Sequence, residues 1–87
     1  MIETIWKNVQ IHEGELFHTT GKKALELTYK MVDDEHLRFS RTAETISKRQ
    51  VEKVLASMND MTPAQINQKV RASYYILALL KDPRIMP

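Results

Sequence analysis

The chain has 87 residues, 43% hydrophobic and 28% charged, with a formal net charge of +2 and a pI near 9.0. That length implies one domain with a small core, and that composition is ordinary globular usage rather than a disordered or membrane class. The absence of cysteine excludes disulfides, thiolate metal sites and thiol chemistry, and a cytoplasmic location is expected.

The longest apolar run, Tyr74 to Leu80, is far short of the roughly 20 residues a membrane helix needs, so no membrane partner is expected. The opening Met-Ile-Glu-Thr-Ile-Trp-Lys lacks the basic start and apolar core of a signal peptide. Only Gly14 and Gly21 are present, too few for a loop whose backbone closes around phosphates. A dinucleotide or P-loop site is therefore not expected, nor is any other cofactor.

In chain order, Ile2, Ile5, Trp6 and Val9 recur at helical spacing and predict a helix over 2–12, stopped by Gly14. Glu15 to Thr20 reads as a short strand, and Gly21-Lys22-Lys23 as a hairpin turn. Ala24 to Val32 is the clearest strand. Leu25, Leu27, Tyr29 and Met31 alternate there with Glu26, Thr28 and Lys30, the two-residue repeat of a half-buried strand. Asp33 to His36 is a polar turn. Leu37 to Ser40 alternates again, with a possible extension through Arg41 and Thr42.

Past Ser47 the period changes. Ser47 and Gln50 form a capping box ahead of Val51, Val54, Leu55 and Met58, predicting a helix over 48–58. Asn59 to Met61 is a loop, and Thr62-Pro63-Ala64-Gln65 repeats the start signal. From there the chain either stays helical to Lys81 or breaks at Arg71-Ala72 and restarts with Ser73 as cap; the break is preferred. Asp82-Pro83 ends the last helix. The fold class is thus α+β: an N-terminal helix, a three-stranded antiparallel meander, then two or three C-terminal helices. One sheet face, carrying Leu25, Leu27, Tyr29, Met31, Leu37 and Phe39, should lie under Ile5, Trp6, Val9, Val51, Val54 and Leu55.

No catalytic constellation emerges. His12, Glu13, His18 and His36 fall on different elements, whereas a metal site needs three or four converging ligands, so no metal is expected. Asp33, Asp34 and Glu35 read as a solvated turn rather than an acid–base pair. Ser40, Ser47, Ser57 and Ser73 have no activating partner in sequence, and no nucleophile elbow is present.

The basic residues are more suggestive. Lys22 and Lys23 at the hairpin tip, Arg38 and Arg41 on or beyond the third strand, and Lys48 and Arg49 opening the next helix could share one side. Such a ridge, with Ser40, Thr42 and Thr45 as neutral donors, suits phosphate contacts. The bland alternative is a solvated face. Tyr74 to Leu80 is too apolar for a one-sided helix, so Tyr74 and Tyr75, with Trp6, are candidates for a homodimer or partner interface.

Several short stretches resemble a small, uncharacterised bacterial and archaeal domain. They are His12-Glu13-Gly14-Glu15, Phe17-x-Thr19, Gly21, Leu27-Thr28-Tyr29, Ser40-Arg41-Thr42, Ile46-Ser47-Lys48, Ser73-Tyr74-Tyr75, and Leu80-x-Asp82-x-Arg84-Ile85 at the end. In that group a Gly-Pro break precedes Ser-Tyr, whereas this chain has Arg71-Ala72. The resemblance implies no catalytic residues and a loose association with restriction–modification genes and mobile elements. The expectation is a small non-catalytic binding module that contacts nucleic acid through the basic ridge, with a protein-interaction module built on helix 74–80 as the alternative.

Overall fold

The computed structural model of the chain describes residues 1–20 and 23–87. The elements run α1 (Ile2–Ile11), β1 (Phe17–His18), β2 (Glu26–Leu27), β3 (Tyr29–Asp33), β4 (His36–Phe39), β5 (Thr45–Ser47), α2 (Lys48–Ser57), α3 (Pro63–Lys69) and α4 (Ser73–Leu80). The α+β class, the N-terminal helix, a three-stranded antiparallel sheet and the C-terminal helices are all present, but the strands are shared out differently from expectation. The alternating stretch predicted as one strand over 24–32 is divided at Thr28. Its first part, β2, pairs antiparallel with β1 in a small separate ladder. Its second part, β3, enters a three-stranded sheet of order β3-β4-β5.

No strand is expected from sequence at β5, because Thr45-Ile46-Ser47 offers one apolar residue and no period. Its Ile46 is fully buried opposite Leu37 on β4. Of the expected strand over 15–20, only Phe17–His18 is regular. The turn expected at Gly21-Lys22-Lys23 lies partly outside the described residues.

The division at Thr28 leaves the inward face continuous. Leu27, Tyr29, Leu37 and Phe39 are buried, and Met31 packs at the edge of the same cluster. Leu25 does not join them and is 37% exposed. A register irregularity between Met31 and Asp33 ends the alternation, and Val32 faces solvent. The β3 edge is closed by the loop after α1. Gly14, at φ +85°, donates its N–H to the Tyr29 carbonyl at 3.1 Å, and the Glu13 carboxylate accepts the Met31 N–H at 2.7 Å. Unpaired edge groups are thereby satisfied rather than left to recruit another strand.

α1 covers the core with Ile5, Trp6 and Val9. Trp6 was expected at an interface, but it is only 4% exposed. Its indole N–H donates to the Asp34 carbonyl at 2.7 Å and pins the β3–β4 turn to α1. The Tyr29 hydroxyl donates to the Val9 carbonyl at 2.6 Å, and burial pushes that phenol well above its usual pKa.

The helical half follows its start signals. Ser47 with Gln50 and Thr62 with Gln65 both form reciprocal capping boxes. α3 and α4 are separate helices, and the break falls at Arg71-Ala72. The cap position is Ala72, in the left-handed region at φ 60° and with no side-chain cap bond, rather than Ser73. Ser73 lies in the first turn, fully buried, and its hydroxyl donates to Asn67 Oδ1 at 3.1 Å.

α4 is apolar over most of its surface because most of it is buried. Ile76 through Leu80 are all in the core, between α2, α3 and β1. The apolar excess that suggested an interface is therefore met within the chain. On α4 only Tyr74 remains a large exposed hydrophobic, at 46%, while Tyr75 is half-buried with its ring centroid 5.6 Å from that of Phe39. No helix among the described residues is long and apolar enough to cross a membrane.

Candidate nucleic-acid interface

The sheet register puts Lys30 on β3, Arg38 on β4 and Thr45 on β5 directly across from one another. Their strand neighbours Tyr29, Leu37 and Ile46 point into the core, so these three project from the opposite, solvent-facing side. Lys30 was not among the expected site residues, although the alternation places it on the polar face with Glu26 and Thr28. Beyond β4 the chain turns, and Arg41 Nε donates to the Glu26 carbonyl at 2.6 Å. That bond leaves the terminal nitrogens of the guanidinium for other partners and ties Arg41 to the β1–β2 hairpin, on which Lys23 is exposed. Lys22 lies outside the described residues.

Lys48 and Arg49 do not join this group. Ser47 pairs with His36, so α2 begins at the opposite end of β4 from Arg41. There Lys48 ion-pairs with Glu3 at 2.9 Å, and its backbone N–H donates to the Glu35 carbonyl at 2.8 Å. The hydrogen bond to Glu3 raises the Lys48 pKa and lowers that of Glu3. A lysine at a helix N-terminus opposes the helix dipole. Here nearby carboxylates offset that cost, which gives Lys48 a structural role. Arg49 is exposed on α2.

Two open grooves run along the basic side. The first, about 440 Å3, is lined by Lys30, Val32, Arg38, Ser40 and Thr42 together with the edges of Tyr29 and Phe39. None of the described residues lining it is acidic. The second, about 460 Å3, is lined by Arg41, Thr42, Glu44, Asn67, Arg71 and Tyr75. Thr42 lines both, so the groove on the sheet face and the one at the α3–α4 corner are neighbours. Arg71 is 82% exposed and bonds Glu44 at 2.6 Å. No sequence signal could have found Arg71, because only the packing of α3 and α4 brings it beside β5.

The other candidates are engaged structurally. His12 bonds Glu15 at 2.7 Å, and His36 bonds Asp33 at 2.8 Å. Asp33 also accepts the Glu35 N–H, and His36 holds its carboxyl below the usual range. Among the described residues no group of three or more potential ligands is placed to hold a metal.

The C-terminal Leu-x-Asp-x-Arg-Ile segment is a clasp. Arg84 binds the Asp82 carboxylate through Nε and Nη2, Glu15 through Nη1 and the Leu16 carbonyl through Nη2. Its guanidinium carbon lies 3.9 Å from the Phe17 ring centroid. Ile85 is buried, and its carbonyl accepts from Asn8 Nδ2. Hydrogen bonds from His12 and Arg84 lower the Glu15 pKa, and Arg84 lowers that of Asp82.

A carboxylate whose native pKa is depressed stabilises the fold fully above its unfolded pKa, and that contribution is lost as pH falls through the native value. The melting temperature should therefore drop on acidification below about pH 4, the ordinary carboxylate range. Arg84→Ala should make that drop shallower, because Asp82 and Glu15 would titrate nearer their ordinary values. Identical pH–melting curves for the two proteins would show that the clasp carries no net stabilisation.

Comparison with protein-family models, with curated proteins and with solved structures finds no match to this chain.

Proposed function

We propose that this protein is a non-catalytic module that binds nucleic acid through the phosphates, using the solvent face of its three-stranded sheet. The observation that carries the reading is the direct cross-strand pairing of Lys30 with Arg38 in a groove with no acidic residue among the described ones that line it. Like charges placed opposite each other on a sheet are destabilising. A folded chain that keeps them gains when an anion lies across both. The neutral donors Ser40 and Thr42 line the same groove, and Arg41 lines the neighbouring one.

The aromatic rings nearest this face, Tyr29 and Phe39, are buried and unavailable for base stacking. The contacts are thus to backbone phosphates, which position a strand without reading its sequence. The resemblance noted in the sequence favours a restriction, phage or mobile-element setting for such a module.

Duplex DNA binding followed by fluorescence anisotropy across a salt series tests this. Three phosphate contacts predict a slope of about −3 in log affinity against log salt, at close to 0.9 per contact. No binding to duplex or single strands at low salt would reduce the face to a solvated surface.

A further inference from the structure

We propose that the second groove is a seat for a phosphomonoester, which on the nucleic-acid reading above is the terminal phosphate of a strand. The groove gathers donors that the fold leaves unused. Among the described residues, Arg41 bonds protein through Nε and Arg71 through Nη1, with no further bond from either guanidinium. The Thr42 hydroxyl oxygen accepts the Glu44 N–H at 3.1 Å, so its own proton remains to be donated.

Asn67 is held with its amide oxygen turned toward the Ser73 hydroxyl, which leaves both amide N–H groups for the groove. Ser73 is the buried polar residue among those described, and this bond fixes Asn67 from within the core. The acceptor side is sparse. Glu44 is the one carboxylate among the lining residues, and it already sits against Arg71.

A groove lined by these donors and two guanidiniums matches an oxyanion, and the charge selects among oxyanions. A phosphodiester within a strand carries one negative charge. A phosphomonoester carries about −1.5 to −2 near neutral pH and has three terminal oxygens. Only the latter can displace Glu44 from Arg71 and still balance both arginines. Because Thr42 lines both grooves, a strand whose backbone lies along Lys30 and Arg38 leads its end to this seat.

The test compares one duplex, internally labelled, with 5′-phosphate, 3′-phosphate or hydroxyl ends, by anisotropy at fixed salt. A phosphorylated end should bind about tenfold tighter than the hydroxyl end, the worth of one charge-assisted hydrogen-bonded contact. Arg71→Ala, at an exposed position, should erase that preference while keeping the hydroxyl-end affinity, and Asn67→Asp, which keeps the oxygen that accepts the Ser73 hydroxyl but removes the amide donors, should erase it too. Lys30→Ala should weaken every duplex alike.

Equal affinity for phosphorylated and hydroxyl ends would overturn the seat and leave the sheet-face reading intact. If neither duplex nor single strands bind, the sheet-face reading fails, and inorganic phosphate titrated into labelled protein decides the seat separately. Amide shifts confined to 41–44 and 67–75 would uphold it for free phosphate, and their absence would overturn it.

Discussion

Leu27→Ala is expected to lower the stability of the fold by about 2–5 kcal/mol, the usual range for truncating a buried leucine that leaves a cavity. Leu27 is 1% exposed and pairs with Phe17 across the β1–β2 ladder. That ladder has only two residues on each strand, so its own hydrogen bonds hold it weakly. What fixes it is the burial of Phe17 and Leu27 against the cluster that includes Tyr29, whose ring centroid is 5.6 Å from that of Phe17. The same substitution two residues earlier is the control. Leu25 is 37% exposed, and Leu25→Ala should cost under about 0.5 kcal/mol, as surface changes usually do. Urea unfolding of the two variants separates the cases. A loss below about 0.5 kcal/mol for Leu27→Ala would place that residue at the surface and shift the strand register by one.

The contrast between these leucines shows where the sequence was readable. Alternation correctly assigned Leu27, Tyr29, Leu37 and Phe39 to one buried face, because a strand's inside–outside order is a local property of the backbone. It could not say that the strand is divided at Thr28, where the Ser40 hydroxyl accepts the Thr28 N–H and the Thr28 carbonyl accepts the Ser40 N–H. Those bonds join residues distant in sequence. The capping boxes at Ser47 and Thr62 were legible for the same local reason that the alternation was.

α4 shows the opposite limit. Its composition implied that much of it is core, as Ile76 to Leu80 are, but sequence cannot distinguish burial within one chain from burial against another. The basic side was legible in part. Arg38 and Arg41 were named from their strand, and Lys30 was visible in the same repeat. Arg71 and Asn67 required the α3–α4 corner, and Lys48 required the knowledge that Glu3 folds back against α2.

Reversing Lys30, Arg38 and Arg41 together to glutamate should abolish nucleic-acid binding and bring the salt slope from about −3 to near zero, since each lost phosphate contact removes about one unit. Folding should change little. Exposed charges contribute about 0–1 kcal/mol each, and a cross-strand Glu–Glu pair replaces a Lys–Arg pair of equal repulsion. The largest structural loss is the bond from Arg41 to the Glu26 carbonyl, about 0.5–1.5 kcal/mol at most for an exposed hydrogen bond. The comparison that makes the result decisive is Arg49→Glu with Lys53→Glu and Lys69→Glu, all exposed on α2 and α3. That variant undergoes the same change in net charge away from the sheet face. Long-range attraction by net charge alone predicts equal loss in both triple variants. Contact through the sheet face predicts that the second variant keeps most of its affinity and its salt slope. Equal loss in the two would therefore remove the sheet face from the account, even though the wild-type protein bound.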